Sequence, residues 1–165
     1  MAANKWEITL VPDAFIPASS NHPDRGVIQN RSYLAFDDTT TETCYSVQFR
    51  LPDAYAAGTV TVAVAYAMAS ATTGTVEYEI AVEAITEADA VDTDSASSFD
   101  TSNDITETVP GTAGHLSVLT GTLTNKDSMA AGDLVRISLA RDANDGTNDT
   151  ATGDARVYWV AIYEA

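Results

Sequence analysis

Over most of this chain apolar residues alternate with small or polar ones, in runs separated by clusters of Gly, Pro, Asp, Asn and Thr. A period of two sends every second side chain to the same face of an extended segment, so each run reads as a strand rather than a helix. The pattern predicts strands over residues 27–36, 43–51, 59–69, 76–85, 104–109, 115–124, 134–139 and 155–163. In the third, Val60, Val62, Val64 and Tyr66 face one way. Thr59, Thr61, Ala63, Ala65 and Ala67 face the other, a small-residue face suited to close packing or to a neighbouring subunit. In the last, Val157, Trp159 and Ala161 share one face and Tyr158, Val160 and Ile162 the other. Pro52 has no N–H for a ladder and ends the second strand. Residues 86–103 and 141–153 are polar and read as loops, and no helix of useful length is predicted. The expected fold is all-β, an eight-stranded antiparallel β-sandwich of jelly-roll type. Residues 1–26, with Pro12, Pro17 and Pro23, read as an extended N-terminal arm ahead of a sandwich domain over 27–165.

A length of 165 residues suits one domain with a full core. Asp and Glu number 24 against 8 Lys and Arg, a formal charge of −16. Such a chain repels polyanions, so nucleic acid and anionic membranes are excluded as partners. The acids sit mostly in the turns, and Asp outnumbers Glu, a bias that suits a saline medium. No run approaches the length of a membrane span, and the first ten residues lack the pattern of a secretory signal, which predicts synthesis in the cytoplasm. Cys44 is the sole cysteine; it forms no intrachain disulfide and reads as a small buried hydrophobe within a strand.

Catalytic constellations are missing. His22 lies in the Pro-flanked arm and His115 at a strand start, and neither accompanies a nucleophile motif. Gly-rich phosphate loops do not occur. Carboxylate pairs such as Glu77/Glu79 and Asp92/Asp94 are what any acidic chain offers, and read as a solvated face. The chain is therefore expected to be non-enzymatic. One run has the composition of a hard-cation loop: Asp142, Asn144, Asp145 and Asp149 around Gly146 are candidate ligands of a structural calcium. It lacks the distal Glu of the helix-loop-helix calcium pattern, and Asp, Asn and Gly equally make plain turns. No other cofactor is expected.

Several strand phrases carry a resemblance. Tyr33-Leu34-Ala35-Phe36-Asp37-Asp38 leads into Val47-Gln48-Phe49-Arg50-Leu51-Pro52-Asp53. Later come Ala130-Ala131-Gly132-Asp133-Leu134-Val135-Arg136-Ile137 and Gly153-Asp154-Ala155-Arg156-Val157. In this order they resemble small jelly-roll virion structural proteins of tailed phages and phage-like elements, over residues 31–163. The resemblance implies a decoration or cement protein on the exterior of a phage head, or a tail or fibre module. It implies a homo-oligomer, a trimer by preference, bound to the major capsid protein or other virion subunits. The arm would then anchor the partner through Trp6, Ile8, Leu10, Phe15 and Ile16; the same side chains would otherwise complete the domain's own core. The alternative is a carbohydrate-binding β-sandwich module of a tail fibre or appendage. Its platform would come from Tyr45, Tyr55, Tyr66, Tyr78, Tyr158, Trp159 and Tyr163, residues that inside alternating strands are more often core.

Overall fold

A computed structural model describes residues 5–91, 93–94 and 97–164. Among them, twelve strands follow in chain order. They are β1 (Trp6–Leu10), β2 (Phe15–Pro17), β3 (Asp24–Ile28), β4 (Arg31–Phe36), β5 (Glu42–Ser46) and β6 (Phe49–Arg50). Then come β7 (Val60–Met68), β8 (Thr75–Ile85), β9 (Asn103–Thr108), β10 (Ser117–Thr122), β11 (Leu134–Arg141) and β12 (Ala155–Glu164). Two six-stranded antiparallel sheets result. The first runs β10-β7-β12-β4-β3, and β1 shares one edge of β12 with β4. The second runs β2-β5-β11-β8-β9, and β6 shares one edge of β11 with β5. The sheets pack face to face as a jelly-roll sandwich, the architecture the alternation predicts.

The core lies between them. Val60, Val62, Val64 and Tyr66 of β7 and Val157, Val160 and Ile162 of β12 are buried from one sheet. Val76, Tyr78, Ile80 and Val82 of β8 and Val135, Ile137 and Leu139 of β11 are buried from the other. Each such side chain contributes about 1.5–3 kcal/mol on leaving water. Tyr78 bridges the sheets edge-on, 5.9 Å from Phe36 and 6.0 Å from Tyr66.

Four features differ from the sequence expectation. Residues 27–36 are not one strand: Gln29 and Asn30 have φ of 48° and 61° and turn the chain between β3 and β4. Two successive positive-φ residues match the twist of a tight hairpin. Residues 43–51 break into β5 and β6. On β12 an irregularity between Val157 and Trp159 shifts the register against β7. An extra residue reverses the alternation beyond it, so Val160 and Ile162 join Val157 in the core while Tyr158 and Trp159 both stay partly exposed.

The fourth is the arm. β1 pairs with β12 and β2 with β5, and the 26/27 boundary falls inside β3. Pro12 opens a 3-10 turn over Pro12–Ala14, where its missing N–H leaves nothing unpaired, and this turn carries the chain from one sheet to the other. Trp6, Leu10 and Phe15 are buried in the chain's own core and Ile8 packs against it. Of the five residues expected to anchor a partner, only Ile16 is exposed, at 52%. Ala63, Ala65 and Ala67 are likewise buried within this one chain, and Ala65 sits between Trp159 and Val118 in the sheet register.

Outer faces differ between the sheets. Residues 97–100 lie against the second sheet: Ser98 N–H donates to Glu83 Oε1 at 2.7 Å and Asp100 N–H to Val82 O at 2.8 Å. Phe99 stacks on Tyr45, centroids 5.6 Å apart, and the Arg136 guanidinium lies 5.0 Å over the Phe99 ring. The first sheet is open where β12 carries its two adjacent aromatics. No α-helix occurs among the described residues, so none is long and apolar enough to cross a membrane.

Candidate functional site

A groove of about 650 Å³ opens on the outer side of the first sheet. Ala67 of β7 gives it a low floor, because a methyl group leaves the space that a larger side chain would fill. Tyr158 and Trp159 supply an aromatic wall, brought to the same side by the β12 irregularity. The β3–β4 turn forms one rim with Ile28, Gln29, Asn30, Arg31 and Ser32. The opposite rim is Gly114 and Leu116, the latter 60% exposed. Gly114 has φ 79° and donates its N–H to Met68 O at 2.9 Å, which ties that rim to the end of β7.

Beneath the wall is a stack. Tyr33 meets Tyr158 edge-on at 6.2 Å, and the Arg156 guanidinium lies 5.4 Å over the Tyr33 ring. Tyr33 reaches this position by lying across β3 at Gly26, where a Cβ would collide with its ring. The groove thus combines aromatic surface with amide, hydroxyl and guanidinium groups. That is the chemistry of a site for a ligand with both C–H faces and hydroxyl edges, in a volume ordinary for such sites.

Only part of the aromatic platform named from the sequence assembles here. Tyr158 and Trp159 line the groove, whereas Tyr55, Tyr66 and Tyr78 are core. Burial raises the Tyr66 phenol well above its ordinary value, and its O–H donates to Glu107 at 2.9 Å. Tyr45 is half-covered beside Phe99, and Tyr163 lies partly exposed toward the far end of β12. The sequence reading missed Tyr33, Arg156, Arg31 and the turn residues. Asn30, a residue that tolerates positive φ, was the available signal for the turn.

The expected calcium set does not hold together. Asp149 is buried and engaged by Arg141, with Nε–Oδ2 and Nη2–Oδ1 both 2.8 Å. Asn144 donates from its amide to Thr41 Oγ1 at 3.1 Å, outside the acidic cluster. Asp142 and Asp145 do approach each other, joined by Glu77 from β8, and carboxylate oxygens of the three lie within 4.8 Å. Burial and then the Asp145, Asp104 and Asp142 charges push the Glu77 carboxyl up. Asp145 is held down by the N–H groups of Thr147 and Asn148, the ordinary self-capping of an Asp turn. A second trio, Asp37, Asp38 and Asp154, lies at the other loop. Asp92 lies outside the described residues. His22 and His115 are both exposed. Cys44 is buried, and burial drives its thiol far above the usual range, which makes it inert.

No family model matches the chain, and no curated protein matches it. Solved structures do. The carbohydrate-binding module CsCBM6-3 from Clostridium stercorarium, in complex with cellobiose, superposes with a TM-score of 0.56 at 12% identity, over 96% of this chain and 94% of that one. The C-terminal CBM6 of LamC, a marine laminarinase from Zobellia galactanivorans, gives 0.52 at 9% identity, over 96% and 99%. A CBM36 module in complex with calcium and xylotriose gives 0.50 at 18% identity, over 94% and 98%. At these identities the likeness is one of fold. The chain has a jelly-roll β-sandwich of the kind found in carbohydrate-binding modules, and the link to virion proteins implied by the strand phrases has no support in these likenesses.

Proposed function

We propose that this chain is a non-catalytic carbohydrate-binding β-sandwich that holds a glycan segment in the groove of its first sheet. The observation that carries the reading is the pair Tyr158 and Trp159, held side by side on one wall of an open groove whose rim bears Gln29, Asn30 and Ser32. A pyranose ring presents C–H groups to an aromatic face and hydroxyls at its edge, and the groove offers a partner for each. The shared fold supports the reading, since proteins with this architecture are solved with cellobiose and with xylotriose bound. A place on a virion appendage, which the strand phrases imply, fits better than a cement role, because most side chains assigned to capsid anchoring lie in the core.

The test is a glycan array with the full chain, followed by calorimetry on each hit. Trp159→Ala is expected to weaken binding about tenfold or more while the melting temperature stays near the parent value. Absence of any hit, or hits indifferent to both Trp159→Ala and Tyr158→Ala, overturns the proposal.

A further inference from the structure

Eight cationic side chains face 24 carboxylates in this protein, so an unpaired cation is the exception. Lys5, Arg25, Arg50, Arg136 and Arg141 are ion-paired with Glu164, Asp13, Asp53, Glu83 and Asp149. Lys126 donates to Gly58 O at 2.9 Å and lies 5.6 Å over the Tyr55 ring. The two that remain are Arg31 and Arg156. Neither guanidinium has a carboxylate partner or a side-chain hydrogen bond among the described residues, and both line the groove. Among the described residues, no Asp or Glu lines it with them. In a molecule of charge −16 the groove is therefore a local positive site set in a negative surface.

The geometry of Arg156 adds to this. Its guanidinium is positioned by the Tyr33 ring rather than by a carboxylate, so its N–H groups are oriented but not consumed. A planar fork of N–H donors matches the paired oxygens of a carboxylate or a sulfate ester. We infer that the groove selects an anionic glycan, whose carboxylate or sulfate group meets Arg156 and Arg31 while a sugar ring lies against Trp159 and Tyr158. The inference rests on the carbohydrate-binding reading and adds the substrate class to it. The negative surface around the groove then acts as a filter: a uniformly charged polymer is repelled everywhere except where the two arginines face it.

The experiment titrates the full chain with four probes: alginate oligosaccharides carrying carboxylates, carrageenan oligosaccharides carrying sulfates, and neutral laminarin and cello-oligosaccharides. Each is measured at about 0.02 M and about 0.5 M NaCl, where screening lengths differ severalfold. At least one anionic probe is expected to bind tighter than both neutral ones and to lose about tenfold in affinity at the higher salt. Which anionic probe binds identifies the group recognised. Arg156→Gln is expected to lower that affinity by about tenfold and to remove most of its salt dependence. Arg31→Gln, at the exposed start of β4 next to the hairpin turn, gives the same direction should Arg156→Gln disturb the sheet. Neutral probes binding in preference, with loss on Trp159→Ala, keep the carbohydrate-binding reading and overturn this inference. Binding of no probe overturns both. Anionic binding that is unchanged in both arginine variants also overturns it.

Discussion

Arg141 shows how a single side chain can join three parts of the molecule. It is fully buried at the end of β11, and all five of its N–H groups have acceptors. Two go to Asp149, one each to Phe36 O at 3.2 Å and Gly153 O at 2.9 Å, and Nη2 donates again to Ala151 O at 2.7 Å. Full satisfaction is what makes a buried ion pair tolerable, and removing one partner strands the other charge. Asp149→Ala or Arg141→Met is expected to cost about 3–5 kcal/mol in urea unfolding, and Arg141→Lys to recover little because an ammonium cannot reproduce the fork. Glu164 plays a similar part for the N-terminal strand. It accepts from the Trp6 indole N–H at 3.0 Å, the Lys5 ammonium at 3.1 Å, and the Ala56 and Gly58 N–H groups at 3.1 and 3.0 Å. Burial acts to raise its carboxyl, but these donors outweigh it and hold it at about 2. Because the folded value lies below the unfolded one, Glu164 contributes stability above about pH 4.3, and that stability is lost as pH falls toward 2. Urea melts between about pH 5 and pH 2 should show Glu164→Gln less stable at the upper end and flatter across the range. Neither partnership was legible in the sequence. Asp149 there looks like any other acid of its loop, and only the folding of that loop back over β11 brings it to Arg141.

At the scale of elements, long alternating runs were read well and their interruptions poorly. β7 and β8 sit where the sequence places them, with Val60, Val62, Val64, Tyr66, Val76, Tyr78, Ile80 and Val82 all buried. The β3–β4 hairpin was missed because Gln29 and Asn30 include no glycine, the residue that normally marks a positive-φ turn. That conformation carries a steric cost for a side chain with Cβ. Asn30→Gly, with or without Gln29→Asn, is expected to stabilise the protein by up to about 1 kcal/mol, read as a higher melting temperature. The same hairpin forms a rim of the groove, so the change tests whether the rim tolerates a bare backbone. The β12 irregularity was invisible for a different reason. Whether an extra residue is accommodated depends on the register with β7, a partner far away in sequence, and no local pattern at Val157-Tyr158-Trp159 records it.

For the whole molecule, charge is the governing quantity. Twenty-four carboxylates against eight cations give −16, and five of the cations are already held in single ion pairs. The uncompensated acids repel one another in the folded state, and salt screens that repulsion. Raising NaCl from about 0.02 M to about 0.5 M should recover about 1 kcal/mol, a rise of about 2–4 °C in melting temperature for a chain this long. Binding of an anionic glycan should move the opposite way over the same salt range, so the two titrations separate global repulsion from local attraction. The sequence by itself determined the strand character, the sandwich class and the sign of the surface, because alternation, turn chemistry and net charge are properties of neighbouring residues or of simple sums. It did not determine that residues 6–10 and 15–17 are strands of opposite sheets, nor that Tyr158 and Trp159 share a wall with Arg31 and Arg156. Those depend on which edge a strand finds and how its register settles, and such pairings between distant segments exist only once the two sheets have closed on a common core.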